Sequence, residues 1–143
     1  MTFEIMKITD YKDLYDLWAQ TEGMTLRAID DSEYGINKFL KRNPENSFVC
    51  RIDKEIIGAI LCGHDGRKGF IYHAVVQDKY RNKGIGKRLV EAAINSLKNE
   101  DITKVAVLIN SNNNLGNQFW EQLGFSFEDD LIYRLLPLNE QNK

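Results

Sequence analysis

The run Tyr80-Arg81-Asn82-Lys83-Gly84-Ile85-Gly86-Lys87-Arg88-Leu89 sets four cations and two glycines at the head of an amphipathic stretch. Residues 81–88 carry +4 and no acid in a chain whose formal net charge is −2, so the remaining residues sum to −6. The basic cluster is therefore local. Nucleic-acid binding calls for a broader basic face, whereas a small, multiply charged anion such as a pyrophosphate suits a cluster this compact. The first backbone N–H groups of a helix have no partner inside it, and its aligned dipoles place about half a positive charge there. Glycine at positions 84 and 86 keeps that end bare of side chains, and Arg81, Lys83 and Lys87 add formal charge. Two nucleotide signatures fail. The dinucleotide pattern needs a third glycine where Leu89 stands, and the P-loop needs glycine at Arg81 and a hydroxyl residue at Arg88. What stands is Arg-x-x-Gly-x-Gly opening a helix.

Other reactive side chains are sparse. Cys50 and Cys62 are the only cysteines, too few for a disulfide framework or a zinc site, and read as small core residues of a reducing compartment. His64 and His73 have no acidic or cysteine partners at metal-ligand spacing apart from Asp65, so no metal is expected. No apolar run approaches the roughly 20 residues that span a bilayer, and the N-terminus lacks a secretory pattern. A cytoplasmic location is expected, with no membrane partner. The 143 residues suit one domain, 1–143, with the segment from about Leu138 to Lys143 frayed.

Several elements must position the glycine loop. Thr2 to Thr9 reads as a strand, and Asp10 caps a helix carrying Leu14, Leu17 and Trp18. Asp31 or Ser32 starts a second helix with Ile36, Phe39 and Leu40, which Asn43-Pro44 ends. Ser47 to Ile52 and Ile56 to Gly63 flank a turn at Asp53-Lys54-Glu55, and Gly69 to Val76 follows as a third strand of an antiparallel meander. Ile85, Leu89, Val90, Ala93, Ile94 and Leu97 form one apolar stripe of a helix from about Gly84 to Leu97. Lys104 to Asn110 reads as a buried strand, Leu115 to Leu123 as a short helix stopped by Gly124, and Leu131 to Leu136 as a last strand. The fold class is α/β (α+β), a mixed sheet with helices against it.

Val76-x-x-x-Tyr80-Arg81-x-Lys83-Gly84-Ile85-Gly86-x-x-Leu89 resembles the acetyl-CoA-binding motif of the GNAT N-acetyltransferase superfamily. Asn113-x-x-Gly116-x-x-Phe119-Trp120-Glu121-x-Leu123-Gly124-Phe125 is similar to that family's later motif, at the usual separation. Together with the element order, the resemblance covers nearly the whole chain. It implies a mostly antiparallel sheet, helices on both faces, and two central strands splayed near Val76 and Asn110. The pantetheine arm of acetyl-CoA would pair with backbone around Ala74, Val75 and Val76. The pyrophosphate would sit on Arg81, Asn82, Lys83, Gly84, Ile85, Gly86 and Lys87. Asn113 would contact the pantetheine, although asparagine is also an ordinary helix cap. Gly116 stands where the family more often has Ala.

The implied reaction is direct attack of a primary amine on the acetyl thioester. It needs a base, because a lysine-like amine has a pKa near 10.4. It also needs a donor for the developing oxyanion, which a backbone N–H at the end of the Gly69 to Val76 strand could supply, and a proton for the leaving thiolate. Many relatives supply that proton from a Tyr in the later motif, where this chain has Trp120. An indole N–H does not titrate, so Trp120 reads as a packed aromatic. Tyr72 and Tyr133 are the candidate acids, and Tyr80 reads as structural. His73 is the conventional base on the central strands, and strict alternation puts it on the face opposite Tyr72. Glu33 and a water chain to solvent are alternatives. The acceptor, a small molecule or a protein amine, would meet the aromatic and acidic segment from Trp18 to Tyr34. Nucleic acid is not an expected partner, and the state is monomer or homodimer. A non-catalytic acyl-CoA-binding sensor and a protein-interaction module using the basic loop remain open.

Overall fold

The computed structural model describes residues 1–142. The chain runs β1 (Thr2–Ile5), α1 (Tyr11–Ala19), α2 (Glu33–Arg42), β2 (Phe48–Ile52), β3 (Glu55–His64), β4 (Gly69–Val76), α3 (Ile85–Asn99), β5 (Val105–Val107) and α4 (Asn114–Gln122). The sheet order is β1-β2-β3-β4-β5, antiparallel except for the parallel pair β4–β5. β1 is shorter than its sequence pattern predicts. Residues Ile8–Asp10 close a 3-10 turn, and the Lys7 N–H donates to Asp10 Oδ2 at 3.0 Å.

Helices cover both faces, as the resemblance implies. On one face Leu14, Leu17 and Trp18 of α1 and Ile36 and Leu40 of α2 pack on Val49, Ala59, Leu61 and Val75. On the other, Ile85, Leu89, Val90, Ala93 and Leu97 of α3, with Trp120 of α4, pack on Cys50, Ile57, Ile60, Cys62 and Ile71. The stripe read from the sequence of α3 is thus a core face. Ser32 caps α2, its Oγ accepting the Gly35 N–H at 3.1 Å.

Two stretches depart from the sequence pattern. The strand expected over Lys104–Asn110 pairs only at Val105–Val107. The strand expected at Leu131–Leu136 does not form: those residues have no ladder partner, and Leu131, Ile132, Tyr133, Leu135 and Leu136 are each more than 60% exposed. An apolar, β-favouring composition makes a segment competent to be a strand, but a strand also needs a paired edge, and these residues have none. In the segment Leu138–Lys143, expected to fray, Lys143 lies outside the described residues and Asn142 is bonded to the loop before α2. Asn142 Oδ1 accepts the Ile29 and Asp30 N–H groups at 2.9 Å each.

Candidate functional site

β4 and β5 part company after the pair Ile71–Val107, and β4 continues for five more residues without a neighbour on that side. The Gln77 N–H donates to Ile57 O at 2.8 Å. In an antiparallel ladder hydrogen-bonded pairs alternate, so Val75 opposite Ala59 and His73 opposite Leu61 spend their main-chain groups on β3. Ala74 and Val76 turn theirs to the open side. Of the three residues singled out by sequence, the backbone of two faces the gap and that of Val75 does not.

The open edge leads into the glycine loop. Among the described residues, the N–H groups of Asn82 through Lys87 find no acceptor in the chain, and the ladder resumes with Arg88 N–H to Gly84 O at 3.1 Å. Asn82 and Gly84 hold the curl with φ of 62° and 78°. At Gly84 a Cβ would meet nothing within 4 Å, so the backbone conformation asks for glycine there; at Gly86 a Cβ would lie 3.3 Å from the Phe119 ring. The two glycines thus serve different purposes, one the turn and the other the seating of α4. The cations are not equivalent either. Arg81 is folded back, with Nε donating to Val76 O at 3.1 Å and the guanidinium 3.0 Å from Asp78. Arg88 stacks over the Phe3 ring at 4.0 Å, away from the loop, and Lys87 lies 4.0 Å from Glu91. Lys83 has no ion-pair partner among the described residues.

Next to the parting point β4 carries a bulge: Leu61 faces His73 while Cys62 faces Ile71, leaving Tyr72 as the extra residue. A bulge interrupts the in–out alternation of a strand. Tyr72 packs edge-on against Phe39 of α2 with ring centroids 5.5 Å apart, and His73 lies 5.0 Å from the Trp18 ring of α1. Both side chains therefore project to the face covered by α1 and α2, which corrects the opposite-face placement drawn from strict alternation.

His73 meets a carboxylate that neither central strand supplies. Asp31, at the end of the α1–α2 loop and 5% exposed, has Oδ1 at 2.7 Å from His73 Nε2 and accepts the Arg27 N–H on Oδ2 at 2.6 Å. Burial pushes the Asp31 carboxyl up. The hydrogen bonds from His73 and the Arg27 N–H, with the charges of both residues, outweigh burial and leave the carboxyl below its ordinary 3.8. The ionised carboxylate can only accept, so Nε2 carries the proton and the lone pair of a neutral ring sits on Nδ1. Nδ1 has no hydrogen-bond partner, and the only buried unpartnered side-chain nitrogen or oxygen atoms among the described residues are Trp18 Nε1 and Asn46 Oδ1. Nδ1 therefore keeps access to solvent.

The remaining candidates fall as follows. The Tyr72 hydroxyl is raised above 10.0, first by burial and then by Asp30 and Tyr133, so it holds its proton and lies in the same neighbourhood as Tyr133. Tyr133 is 62% exposed on the unpaired segment. Glu33 lines a shallow cleft of about 430 Å³ with Tyr11, Lys12, Tyr15 and Asp16, along α1 and not beside His73. Asn113 caps α4, its Oδ1 accepting the Gly116 N–H at 2.9 Å, which leaves only its amide N–H groups unspent. Trp120 is buried, edge-on to Phe119 and Phe125 at 5.1 and 5.0 Å, so the packing reading describes it. Cys62 is sealed in the core, where burial pushes its thiol up to about 12.

The mixed sheet thus has its central strands parting beside a glycine-opened helix and a histidine–carboxylate pair. The sequence pattern of the acetyltransferase (GNAT) family matches residues 11–125, and the chain belongs to that family. An acetyltransferase of Sodalis glossinidius (strain morsitans) is 24% identical over 132 residues, covering 92% of each chain. One of Pectobacterium atrosepticum is 25% identical over 129 residues, covering 90% of each. Among solved structures, the PaiA N-acetyltransferase of Thermoplasma acidophilum in complex with coenzyme A superposes with a TM-score of 0.78 at 21% identity, over 90% of this chain and 92% of that one. The Ard1 structure from Thermoplasma volcanium gives 0.77 at 17% identity, over 87% and 82%. These likenesses carry the fold; the family match carries the reaction class, acetyl transfer.

Proposed function

We propose that this chain transfers the acetyl group of acetyl-CoA directly to a primary amine. The observation that carries this reading is the open β4 edge, with the main-chain groups of Ala74 and the Val76 N–H unspent and the Val76 carbonyl held by Arg81, running into the unpaired N–H groups of Asn82 to Lys87. An extended amide-containing arm can pair with such an edge like an added strand. A pyrophosphate suits a helix N-terminus with unspent donors, and Lys83 and Lys87 stand there to supply charge. Acetyl-CoA brings the activated acetyl group. His73 takes the amine proton on Nδ1, and Asp31 stabilises the imidazolium and fixes the ring through Nε2. Tyr72, protonated and on the same face, is the proton donor that the Trp120 position does not supply, with Tyr133 beside it. The unspent Asn113 amide N–H groups are a further contact for the pantetheine arm.

The test is a melting curve. Acetyl-CoA at 100 times its Kd stabilises the native state by about 2.7 kcal/mol, a rise of roughly 5–10 °C for a chain this size. Gly86→Glu puts a carboxylate at the helix mouth, and Lys83→Glu reverses a cation that no contact holds. Both are expected to shrink the rise. An undiminished rise in both variants places the anion elsewhere.

A further inference from the structure

We infer that Asn142 is a positioning residue that holds Asp31 against His73. The inference rests on the reading of His73 as the base. Asp31 sits at the end of a tight turn: its N–H donates to Arg27 O at 3.2 Å, the Ser32 N–H donates to Ile29 O at 3.2 Å, and the Ser32 hydroxyl donates to the same carbonyl at 2.6 Å. Tyr11 OH holds the Asp31 carbonyl at 2.7 Å. These bonds leave the N–H groups of Ala28, Ile29 and Asp30 with no acceptor inside the turn, and Asn142 meets the last two. Asn142 Oδ1 accepts both at 2.9 Å, and its Nδ2 donates to Asp30 Oδ2 at 2.7 Å. One side chain, 112 residues away from Asp30, makes three bonds to the two residues that precede Asp31.

The opposite side of the turn is closed. A Cβ on Gly35 would lie 2.5 Å from Asp30 O and closer still to Ile29 O, so the turn already rests on the α2 backbone. Asn142 and Gly35 clamp it between them. Among the described residues, 126–141 form no hydrogen bond to the rest of the chain, so Asn142 is where this whole segment is pinned. Hydrogen bonds this exposed contribute little to global stability. Their effect is on where the Asp31 carboxylate points, and a displacement of about an ångström is enough to lose a hydrogen bond.

The experiment exchanges the polarity of the contact. Asn142→Asp sets a second carboxylate against Asp30 and removes the Nδ2 donor. Asp30→Asn in that background restores the bridge with donor and acceptor exchanged. The readouts are the His73 Nε2–H resonance, hydrogen exchange of the Ile29 and Asp30 amides, and kcat with the KM for acetyl-CoA. Asn142→Asp is expected to broaden the resonance, speed both amides and lower kcat roughly 3- to 10-fold at unchanged KM. The double variant is expected to recover all three. A resonance and amides indifferent to Asn142→Asp and Asn142→Ala, or no recovery in the double variant, overturn the clamp. A resonance that follows the variants while kcat does not overturns His73 as the base and leaves the clamp standing.

Discussion

The protein holds two histidine–carboxylate pairs, and they differ in what the second ring nitrogen does. At the far end of β3, His64 Nε2 lies 3.1 Å from Glu100 Oε1 while its Nδ1 accepts the Gly66 N–H at 3.0 Å. Asn46 donates to the other Glu100 oxygen at 2.7 Å, and this bond and the one from His64 lower the Glu100 carboxyl below 4.5. Both nitrogens of His64 are spent on holding the β3–β4 loop to the end of α3. At the parting of β4 and β5, His73 makes the shorter contact, 2.7 Å, to a better buried carboxylate, and Nδ1 has no partner. A histidine with both nitrogens bound is a brace; one with a fixed donor and a free acceptor is a base in waiting.

The largest expected effect separates the two residues. His73→Gln is expected to lower kcat/KM by about 10²- to 10⁴-fold, the usual range for general acid–base catalysis, with the acetyl-CoA melting shift intact. His64→Gln in the same assay should stay within about twofold, and a comparable loss there would erase the distinction.

Gly35→Ala attacks the His73–Asp31 pair without touching it. Its Cβ has to displace the Ile29 and Asp30 carbonyls, costing about 1–3 kcal/mol of stability, and kcat should fall as Asp31 is carried away from His73. A full-activity, full-stability alanine variant would show that the turn is free to yield.

Asp31→Asn should cost about 1–3 kcal/mol near neutral pH, because it removes a charge-assisted, buried hydrogen bond. The Asp31 carboxyl lies below 3.8 when folded, so its contribution is present above that value and disappears as pH falls through the lower folded value. Urea unfolding of wild type and variant should therefore converge in acid, and a constant gap down to low pH argues against an ionised Asp31. The smallest effect is assigned to the brace: Glu100→Gln, at a half-open site, should change stability by no more than about 1 kcal/mol and leave kcat unaltered.

Much of this arrangement is legible in the sequence. The α3 stripe, the Ser32 cap, the meander and the glycine loop all depend on residues close together in the chain, where period and propensity act. The loop's donors follow from helix geometry alone. The partner of His73 does not: Asp31 lies 42 residues earlier and is brought in by a loop whose path depends on Tyr11, Gly35 and Asn142. The sequence shows Asp31 as one more acid in an acidic segment or as the start of a helix. The face assignment of Tyr72 and His73 fails for a related reason, because the bulge that turns them the same way is a property of the β3–β4 pairing and leaves no mark on period two. Leu131–Leu136 has the apolar, β-favouring composition of a strand, but pairing depends on an edge that no local pattern supplies, and these residues have no ladder partner.

The most direct test of the free Nδ1 is the ratio of kcat/KM for wild type to that for His73→Gln, followed across pH with one primary-amine acceptor. Release of the CoA thiol from acetyl-CoA gives the rate. Titration of the acceptor amine is common to both enzymes and cancels in the ratio. With His73 as the base, the ratio climbs as the imidazole loses its proton and then levels off. A ratio that stays constant over the whole range would mean that His73 exchanges no proton in the reaction, and the assignment of the base would fall.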